Sequence, residues 1–232
     1  VEVELALAHE VLLFGEDVRI EVEAAILEWM LANGWQPVLF YFNPNIFPEE
    51  EYLVRKSELD LYARRLGLEV IDGDWRHDAW RRAVAGLEAE PERGARCLAC
   101  FKHRLLEAAR AAAETGIGLF TTTLASSRWK RLDQVSEAGR WAASRFPGVT
   151  FWDRNWRKGG LQERRGALIR ENHFYNQLYC GCEFSMAALA GRRSRQDEAA
   201  ARDEAAARLR AAAGEAPQAC SASSPAAAKA LK

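Results

Sequence analysis

The sequence alternates short apolar segments with longer amphipathic ones, and this alternation constrains the fold more than any other feature. Strands are predicted at 11–14, 38–42, 68–71, 119–123 and 149–152. Helices are predicted at 20–33, 49–66, 78–87, 100–114, 132–146 and 161–172. Strands and helices that alternate at this spacing indicate βαβ units around a parallel sheet, so the expected fold class is α/β.

The loops at the carboxyl ends of the predicted strands are the expected location of a binding site. In open parallel sheets, ligands bind beyond that edge, and the loops after 38–42, 119–123 and 149–152 should meet there. They contain the candidate substrate-binding residues Asn43, Asn45, Arg128, Trp129, Lys130, Trp156, Arg157 and Lys158. The sequence has neither a GxGxxG nor a GxxxxGK[ST] phosphate-binding motif.

A change of composition near residue 190 predicts two regions. Residues 1–190 hold all eight tryptophans, whereas the chain from 191 onward is rich in Ala, Arg and Glu and then in Ser, Pro and Ala. We expect an α/β domain at 1–190 and a low-complexity tail at 191–232. The tail is predicted to be helical at 197–213 and disordered from 214.

Charge and hydropathy bear on the compartment and the partners that the sequence predicts. The chain has 32 basic and 33 acidic residues, a net charge of -1 that argues neither for nor against a nucleic-acid partner. No apolar run reaches the roughly 18 to 20 residues that span a bilayer, and no signal-peptide pattern is present. We therefore expect a cytoplasmic protein without a membrane partner, in a compartment where close cysteine pairs bind metals or take part in catalysis.

Four of the five cysteines form two close pairs. Cys97 and Cys100 make a CxxC pair that is predicted to lie just before a helix, and Cys180 and Cys182 flank Gly181. A helix N-terminus and nearby basic residues favour thiolate, the form that binds metals or attacks. Three interpretations stay open: a structural zinc held by all four thiolates, an iron–sulfur cluster, or a metal on one pair with an electron-delivering dithiol on the other.

Basic residues interleaved with tryptophan suggest a nucleic-acid substrate. Residues 154–170 hold six basic residues against one acid, with Trp152 and Trp156 at their N-terminal side. Residues 128–131 form a second basic cluster, around Trp129. Basic side chains neutralise phosphates and aromatic rings stack on unpaired bases, the usual way in which single-stranded RNA loops are recognised.

Five stretches of the sequence resemble the cobalamin-independent epoxyqueuosine reductase family, QueH. They lie in the family's order and spacing within residues 26–187, and they read FYFNPNIFPEEEY (40–52), EPERGARCLACF (90–101), SSRWK (126–130), WDRNWRKGG (152–160) and YNQLYCGCEFS (175–185). The resemblance implies a Rossmann-like three-layer fold related to adenine-nucleotide alpha-hydrolases. It also implies reduction of epoxyqueuosine to queuosine at the wobble position of tRNA, so that the partner is the anticodon loop.

The resemblance also assigns roles to the cysteines. Cys97 and Cys100 would bind a [4Fe–4S] cluster, so they are the candidate metal and cofactor ligands. Cys180 and Cys182 would be the catalytic pair, cycling between dithiol and disulfide with an external electron donor. Of the three interpretations above, the resemblance thus favours the third.

The N-terminal part of the sequence departs from the family pattern. The family has a His-x-Cys-Cys motif after its first strand, whereas here Glu16 and Asp17 stand about where the cysteines belong, and no cysteine precedes Cys97. Carboxylates are poor substitutes for thiolate on iron. The cluster is then altered or lost, or Cys180 and Cys182 are recruited as ligands. Two alternative functions follow: a non-catalytic tRNA-binding relative with a structural zinc or degenerate metal site, and an ATP-using enzyme of the same superfamily, against which the missing phosphate loop counts.

Overall fold

The computed structural model describes residues 9–15, 20–127, 129–172 and 177–212. The strands within these ranges are β1 (His9–Gly15), β2 (Trp35–Tyr41), β3 (Val70–Asp72), β4 (Leu119–Thr122) and β5 (Thr150–Phe151). The α-helices are α1 (Ile20–Ala32), α2 (Glu49–Leu66), α3 (His77–Ala83), α4 (Ala95–Thr115), α5 (Leu132–Ala143), α6 (Leu161–Asn172) and α7 (Glu183–Ala212).

The five strands form one parallel sheet in the order β3-β2-β1-β4-β5, which confirms the predicted α/β class. Leu13 of β1 pairs with Leu39 of β2 on one side and with Thr121 of β4 on the other. All three residues are fully buried. Strands β2 and β3 follow β1 on one side of the sheet, and β4 and β5 lie on its other side. Ligand crevices form at such a reversal of strand order.

Helix α4 is the long helix that carries the first cysteine pair. Its buried residues include Phe101, Leu105, Ala108 and Ala112, whose spacing of three and four residues places them on one face of the helix. The helix contacts α3, α5, β1 and β4. Because that apolar face is packed against the core, the N-terminal turns of α4 are held firmly in place.

The start of α4 corrects the sequence prediction. The helix begins at Ala95, not at 100, so Cys97 and Cys100 lie inside its first two turns. The Glu90 side chain accepts a hydrogen bond from the Ala95 amide at 3.1 Å. A carboxylate at a helix N-terminus satisfies an unpaired amide and is stabilised by the helix dipole.

Helix α7 also begins earlier than predicted, at Glu183 and not at 197. The Cys182 sulfur accepts a hydrogen bond from the Ser185 amide at 3.4 Å, so Cys182 takes the position of an N-terminal cap. The described residues group into two units, one ending at Leu189 and the other starting at Ala190. The disorder predicted from 214 falls outside the described residues. No helix within the described part of the chain is both long and apolar enough to cross a bilayer.

Candidate functional site

The segment that contains the second cysteine pair is fixed against the loop after β2. The Phe47 amide donates a hydrogen bond to the Gly181 carbonyl at 2.9 Å, and the Tyr179 hydroxyl donates to the Phe47 carbonyl. Gly181 has a φ of 115°, a conformation that favours glycine. Cys180 and Cys182 are therefore held in a defined turn at the carboxyl edge of the sheet.

The two cysteine pairs converge on one site. Cys182 packs against a small buried cluster that contains Cys100 and Trp80. The Trp80 indole donates a hydrogen bond to the Cys100 sulfur at 3.2 Å, and the Arg93 amide donates to the Cys97 sulfur at 3.2 Å. Cys97, Cys100, Cys180 and Cys182 are all free thiols in this structure. The fold thus brings together side chains that are about 80 residues apart in the sequence.

Lys130 reaches the second cysteine pair from the loop after β4. Its Nζ lies 2.6 Å from the Cys180 sulfur and donates a hydrogen bond to it. The same ammonium group lies 5.7 Å from the centre of the Phe101 ring, a cation–π contact with the first turns of α4. Lys130 therefore places a positive charge and a proton donor beside the sulfur.

The two thiols of the second pair have opposite pKa shifts. A hydrogen bond from Cys180, supported by the hydroxyl and amide of Ser185, lowers the pKa of Cys182 to about 7. The same hydrogen bond, with burial, raises the pKa of Cys180 well above its ordinary value, and the charge of Lys130 opposes that rise. Cys182 is therefore the more acidic thiol of the pair.

Burial outweighs the basic surroundings at the CxxC pair. It raises the pKa of both Cys97 and Cys100, although the Arg93 amide and Arg104 act in the other direction. This corrects the expectation that the helix N-terminus and its basic neighbours favour thiolates there. Arg96, for example, donates to the Glu88 carbonyl at 2.7 Å and not to a sulfur.

The residues present do not complete a ligand set for a [4Fe–4S] cluster. Within the described ranges, no group of three or more His, Cys, Asp or Glu side chains is arranged to hold a metal ion. Cys97 and Cys100 supply two thiolates, whereas such a cluster ordinarily takes four cysteine ligands. Glu16 and Asp17, which stand near the family's further cysteines, fall outside the described residues and are carboxylates.

Three of the predicted substrate-binding residues belong to the protein interior. Asn43 and Asn45 are buried, and Asn43 accepts a hydrogen bond from the buried Arg104. Trp156 is 1% exposed and its indole donates to the Thr121 hydroxyl at 3.2 Å. Because these side chains fill the core below the loops, they do not form the surface that an RNA would contact in this structure.

The other predicted substrate-binding residues lie nearer the surface. Trp129 is 76% exposed, and Lys158 is also exposed. Arg157 is half-buried and donates hydrogen bonds to the carbonyls of Lys130 and Ser127, the first at 2.8 Å, so it fixes the loop that carries Lys130. Arg128 lies outside the described residues.

The structure adds site residues that the sequence prediction missed. Trp80 and Arg93 bind the sulfurs of the CxxC pair, and Ser185 binds that of Cys182. Ser185 stands three residues after Cys182, the spacing of a helix cap, so a local signal was available. Trp80 has no such signal, because it comes from a different helix.

The sequence is similar to a known protein family and to individual members of it. The family model described as epoxyqueuosine reductase QueH matches residues 22–188. The epoxyqueuosine reductase QueH of Histophilus somni (strain 129Pt) is 41% identical over 161 residues, which cover 69% of this chain and 66% of the relative. The QueH of Acinetobacter baylyi is 40% identical over 161 residues, covering 69% of this chain and 74% of the relative.

The match spans the structural features described above. It includes both cysteine pairs and the loop that carries Lys130, and it covers just under two thirds of the length of the Histophilus somni protein. The family model alone covers well over half of the chain. The chain therefore belongs to the epoxyqueuosine reductase QueH family.

Proposed function

We propose that this protein reduces epoxyqueuosine to queuosine at the wobble position of tRNA, with Cys180 and Cys182 as the catalytic pair. The observation that carries the proposal is the Lys130 ammonium group on the Cys180 sulfur, two residues from Cys182, whose sulfur accepts a hydrogen bond from the Ser185 amide. Family membership supplies the substrate class. The reaction is part of queuosine biosynthesis, and the protein would be an oxidoreductase of tRNA processing.

The proposed reaction balances on the two thiols. Oxidation of the Cys180 thiol and the Cys182 thiolate to a disulfide releases two electrons and one proton, and the Lys130 ammonium group supplies the second proton. The two C–O bonds of the epoxide break, a carbon–carbon double bond forms, and the oxygen leaves as water with those two protons. A dithiol or other two-electron donor then returns the disulfide to the reduced pair. The thiolate character of Cys182 and the ammonium of Lys130 support this assignment, since both a sulfur nucleophile and a proton donor are needed.

The cofactor is proposed from family membership. If a metal group binds, Cys97 and Cys100 are its ligands in this chain, and a [4Fe–4S] cluster would supply electron transfer there. Because the described residues do not complete the ligand set of that cluster, the two electrons of the proposed reaction come from the thiols alone.

The finer fold relationship and the domain boundaries are proposals as well. The strand order, with its reversal between β1 and β4, supports a Rossmann-like three-layer fold related to adenine-nucleotide alpha-hydrolases. The reductase domain would occupy 1–190, with 191–232 as a tail. The tRNA anticodon loop would bind at the carboxyl edge of the sheet, near Trp129, Lys130 and Lys158.

A single-turnover assay tests the function. Reduced protein is mixed without oxygen with tRNA that carries epoxyqueuosine, and the digested nucleosides are analysed by mass spectrometry. We expect queuosine from the unmodified chain and none from Cys180→Ser or Cys182→Ser, whereas Cys220→Ser serves as the matched cysteine control and stays active. Failure of the reduced, unmodified chain to form queuosine would refute the proposal.

The missing N-terminal cysteines favour one alternative function. A non-catalytic tRNA-binding relative would hold a structural zinc, or keep a degenerate metal site, with the thiols of Cys97, Cys100, Cys180 and Cys182. It would bind about one zinc per chain and bind tRNA without forming queuosine. Elemental analysis of the purified chain, paired with the assay above, distinguishes the two functions.

A further inference from the structure

Trp129 is an exposed aromatic residue in the loop that carries Lys130. At 76% exposure it is the most exposed large apolar side chain in the described part of the chain, and every other tryptophan there is buried or half-buried. The next residue in the chain, Lys130, donates a hydrogen bond to the Cys180 sulfur. The ring therefore stands at the surface on the residue that precedes the lysine in contact with the proposed catalytic pair.

Arg93 holds the Trp129 loop from the side of α4. Its Nε donates a hydrogen bond to the Trp129 carbonyl at 2.8 Å, and its guanidinium carbon lies 5.9 Å from the centre of the Trp129 ring. Its own amide donates to the Cys97 sulfur. Arg93 thus links the exposed ring directly to the CxxC pair.

The backbone of Arg93 is strained, and neighbouring groups hold it in place. With a φ of 70°, it is the one residue other than glycine with a positive φ in the described ranges. The Gln134 side chain donates to the Arg93 carbonyl at 3.1 Å. Such strain persists where the surroundings fix the conformation, and it is concentrated at functional sites.

The loop that carries Trp129 is positively charged and fixed by hydrogen bonds, and both properties favour a nucleobase as the group that covers the ring. Arg157 donates to the Lys130 carbonyl at 2.8 Å, so arginines fix the loop from two sides. Arg93 contacts the ring, and Lys130 and Arg157 add positive charge to the loop that carries it, which suits a polyanion and disfavours an apolar protein partner. Unpaired bases stack on tryptophan rings and on guanidinium planes.

We propose that Trp129 and Arg93 form a stacking platform for an unpaired nucleobase that flanks the modified base in the anticodon loop. Trp129 is the residue that contacts the base, and Arg93 is the positioning residue that sets the ring beside the thiols. This inference rests on the proposed function, because it takes the tRNA anticodon loop as the substrate.

The test uses RNA hairpins with the anticodon sequence, in which one nucleotide next to the wobble position is 2-aminopurine. Stacking on a tryptophan changes the emission of this fluorescent base, so the signal reports the platform itself. We expect the full chain to quench the emission and Trp129→Ala to abolish the change. Affinity should fall about tenfold in that variant. Trp129→Phe, which keeps an aromatic face, should restore most of both effects.

Arg93 is tested with a pair of variants that differ in backbone strain. Arg93→Gly removes the side chain but accepts the positive φ, whereas Arg93→Ala removes the side chain and keeps the strain. We expect both to lose quenching and affinity, although Arg93→Gly is the more stable on thermal unfolding. Controls are Arg110→Ala and Leu61→Ala, which remove an exposed charge and an exposed apolar side chain from other parts of α4 and α2.

The outcomes separate the platform from the proposed function. If the unmodified chain forms queuosine and the Trp129 and Arg93 variants match the controls in quenching and affinity, the platform is refuted and the function stands. If the variants lose stacking but the unmodified chain forms no queuosine, the platform stands and the function fails. If the unmodified chain forms queuosine but does not quench the emission of the hairpin, the platform is refuted and the function stands.

Discussion

Cys180 and Cys182 differ in protonation because they have different neighbours. The Ser185 amide donates a hydrogen bond to the Cys182 sulfur at the start of α7, and the neighbouring Cys180 thiol lowers the pKa of Cys182 further. With a pKa of about 7, the Cys182 thiolate disappears as the pH falls below that value. We expect its alkylation by iodoacetamide, followed by peptide mass spectrometry of the reduced protein, to rise with pH through a midpoint of about 7.

Substitutions at Cys180 test the cause of that shift. Cys180→Ala removes the S–H donor and should move the Cys182 midpoint upward, toward the ordinary value for a thiol. Cys180→Ser keeps a donor at the same position, so its midpoint should move less. An alanine variant whose midpoint is unchanged would contradict the role of the hydrogen bond.

Lys130 is expected to matter for the chemical step because its ammonium group touches the Cys180 sulfur. Lys130→Met removes both the charge and the donor, and we expect it to slow queuosine formation in single turnover by about 100-fold. Lys130→Arg keeps the charge in a different shape and should lose less. Lys102→Met, which breaks an ion pair with Glu137 instead, is the control and should keep its rate. Equal rates for Lys130→Met and the control would count against this role.

Sequence alone could not separate exposed from buried residues within the basic clusters. Trp129 and Trp156 both have basic neighbours in the sequence, yet one is 76% exposed and the other 1%. The Trp156 ring packs 5.6 Å from that of Trp29, which comes from α1. Such a contact joins residues far apart in the chain, so no local pattern reveals it.

Helix boundaries were predictable where the signals lie next to each other in the sequence. Helix α2 spans Glu49–Leu66 as predicted, with three acidic residues in its first turn and Gly67 at its end in the left-handed conformation. Helix α4 was predicted five residues too short at its start, because its first amide is capped by a side chain from Glu90 in the preceding turn.

The packing of α5 on β5 yields a stability prediction. Gly139 in α5 is buried, and a Cβ at this position would overlap the Phe151 ring. We expect Gly139→Ala to lower the free energy of unfolding by about 1–3 kcal/mol, because the ring must move within a packed core. Gly166→Ala in α6 is the matched control. Its Cβ would meet nothing nearer than the Arg170 side chain at 3.7 Å, so helix propensity should stabilise that variant by up to about 1 kcal/mol.

Urea unfolding of the two glycine variants, followed by circular dichroism, provides the measurement. Because both substitutions add the same methyl group to a helix, the difference between them isolates the contact with Phe151. Two variants with the same midpoint and slope would show that α5 and β5 do not pack as described.

At the scale of the whole molecule, the alternating pattern predicts a parallel sheet but not its order. The order β3-β2-β1-β4-β5 arises because β1 pairs with β2 along one edge and with β4 along the other. That arrangement brings the loop after β2, the start of α4, the loop with Lys130 and the turn at Gly181 to one place. The family resemblance could assign roles to the cysteines, whereas their mutual arrangement depends on this long-range assembly.

The cysteine inventory of the whole chain leads to a prediction about metal content. Cys97 and Cys100 offer two sulfur ligands, and the described residues contain no group of three or more His, Cys, Asp or Glu side chains arranged to hold a metal ion. We therefore expect the chain, after anaerobic reconstitution with iron and sulfide, to hold fewer than the four irons of a [4Fe–4S] cluster and to lack its broad visible absorption. Restoring thiols with the double variant Glu16→Cys and Asp17→Cys should raise the iron content.

A second variant shows which thiols hold whatever metal is bound. If Cys97 and Cys100 are the ligands and the other pair is the dithiol, the double variant Cys180→Ser and Cys182→Ser should keep the metal content of the unmodified chain. If all four thiolates hold one ion, that variant should lose it, because two hydroxyl groups replace two strong ligands. Four irons and four sulfides in the unmodified chain would contradict the expectation, and loss of that iron in the double variant would show that Cys180 and Cys182 complete the cluster.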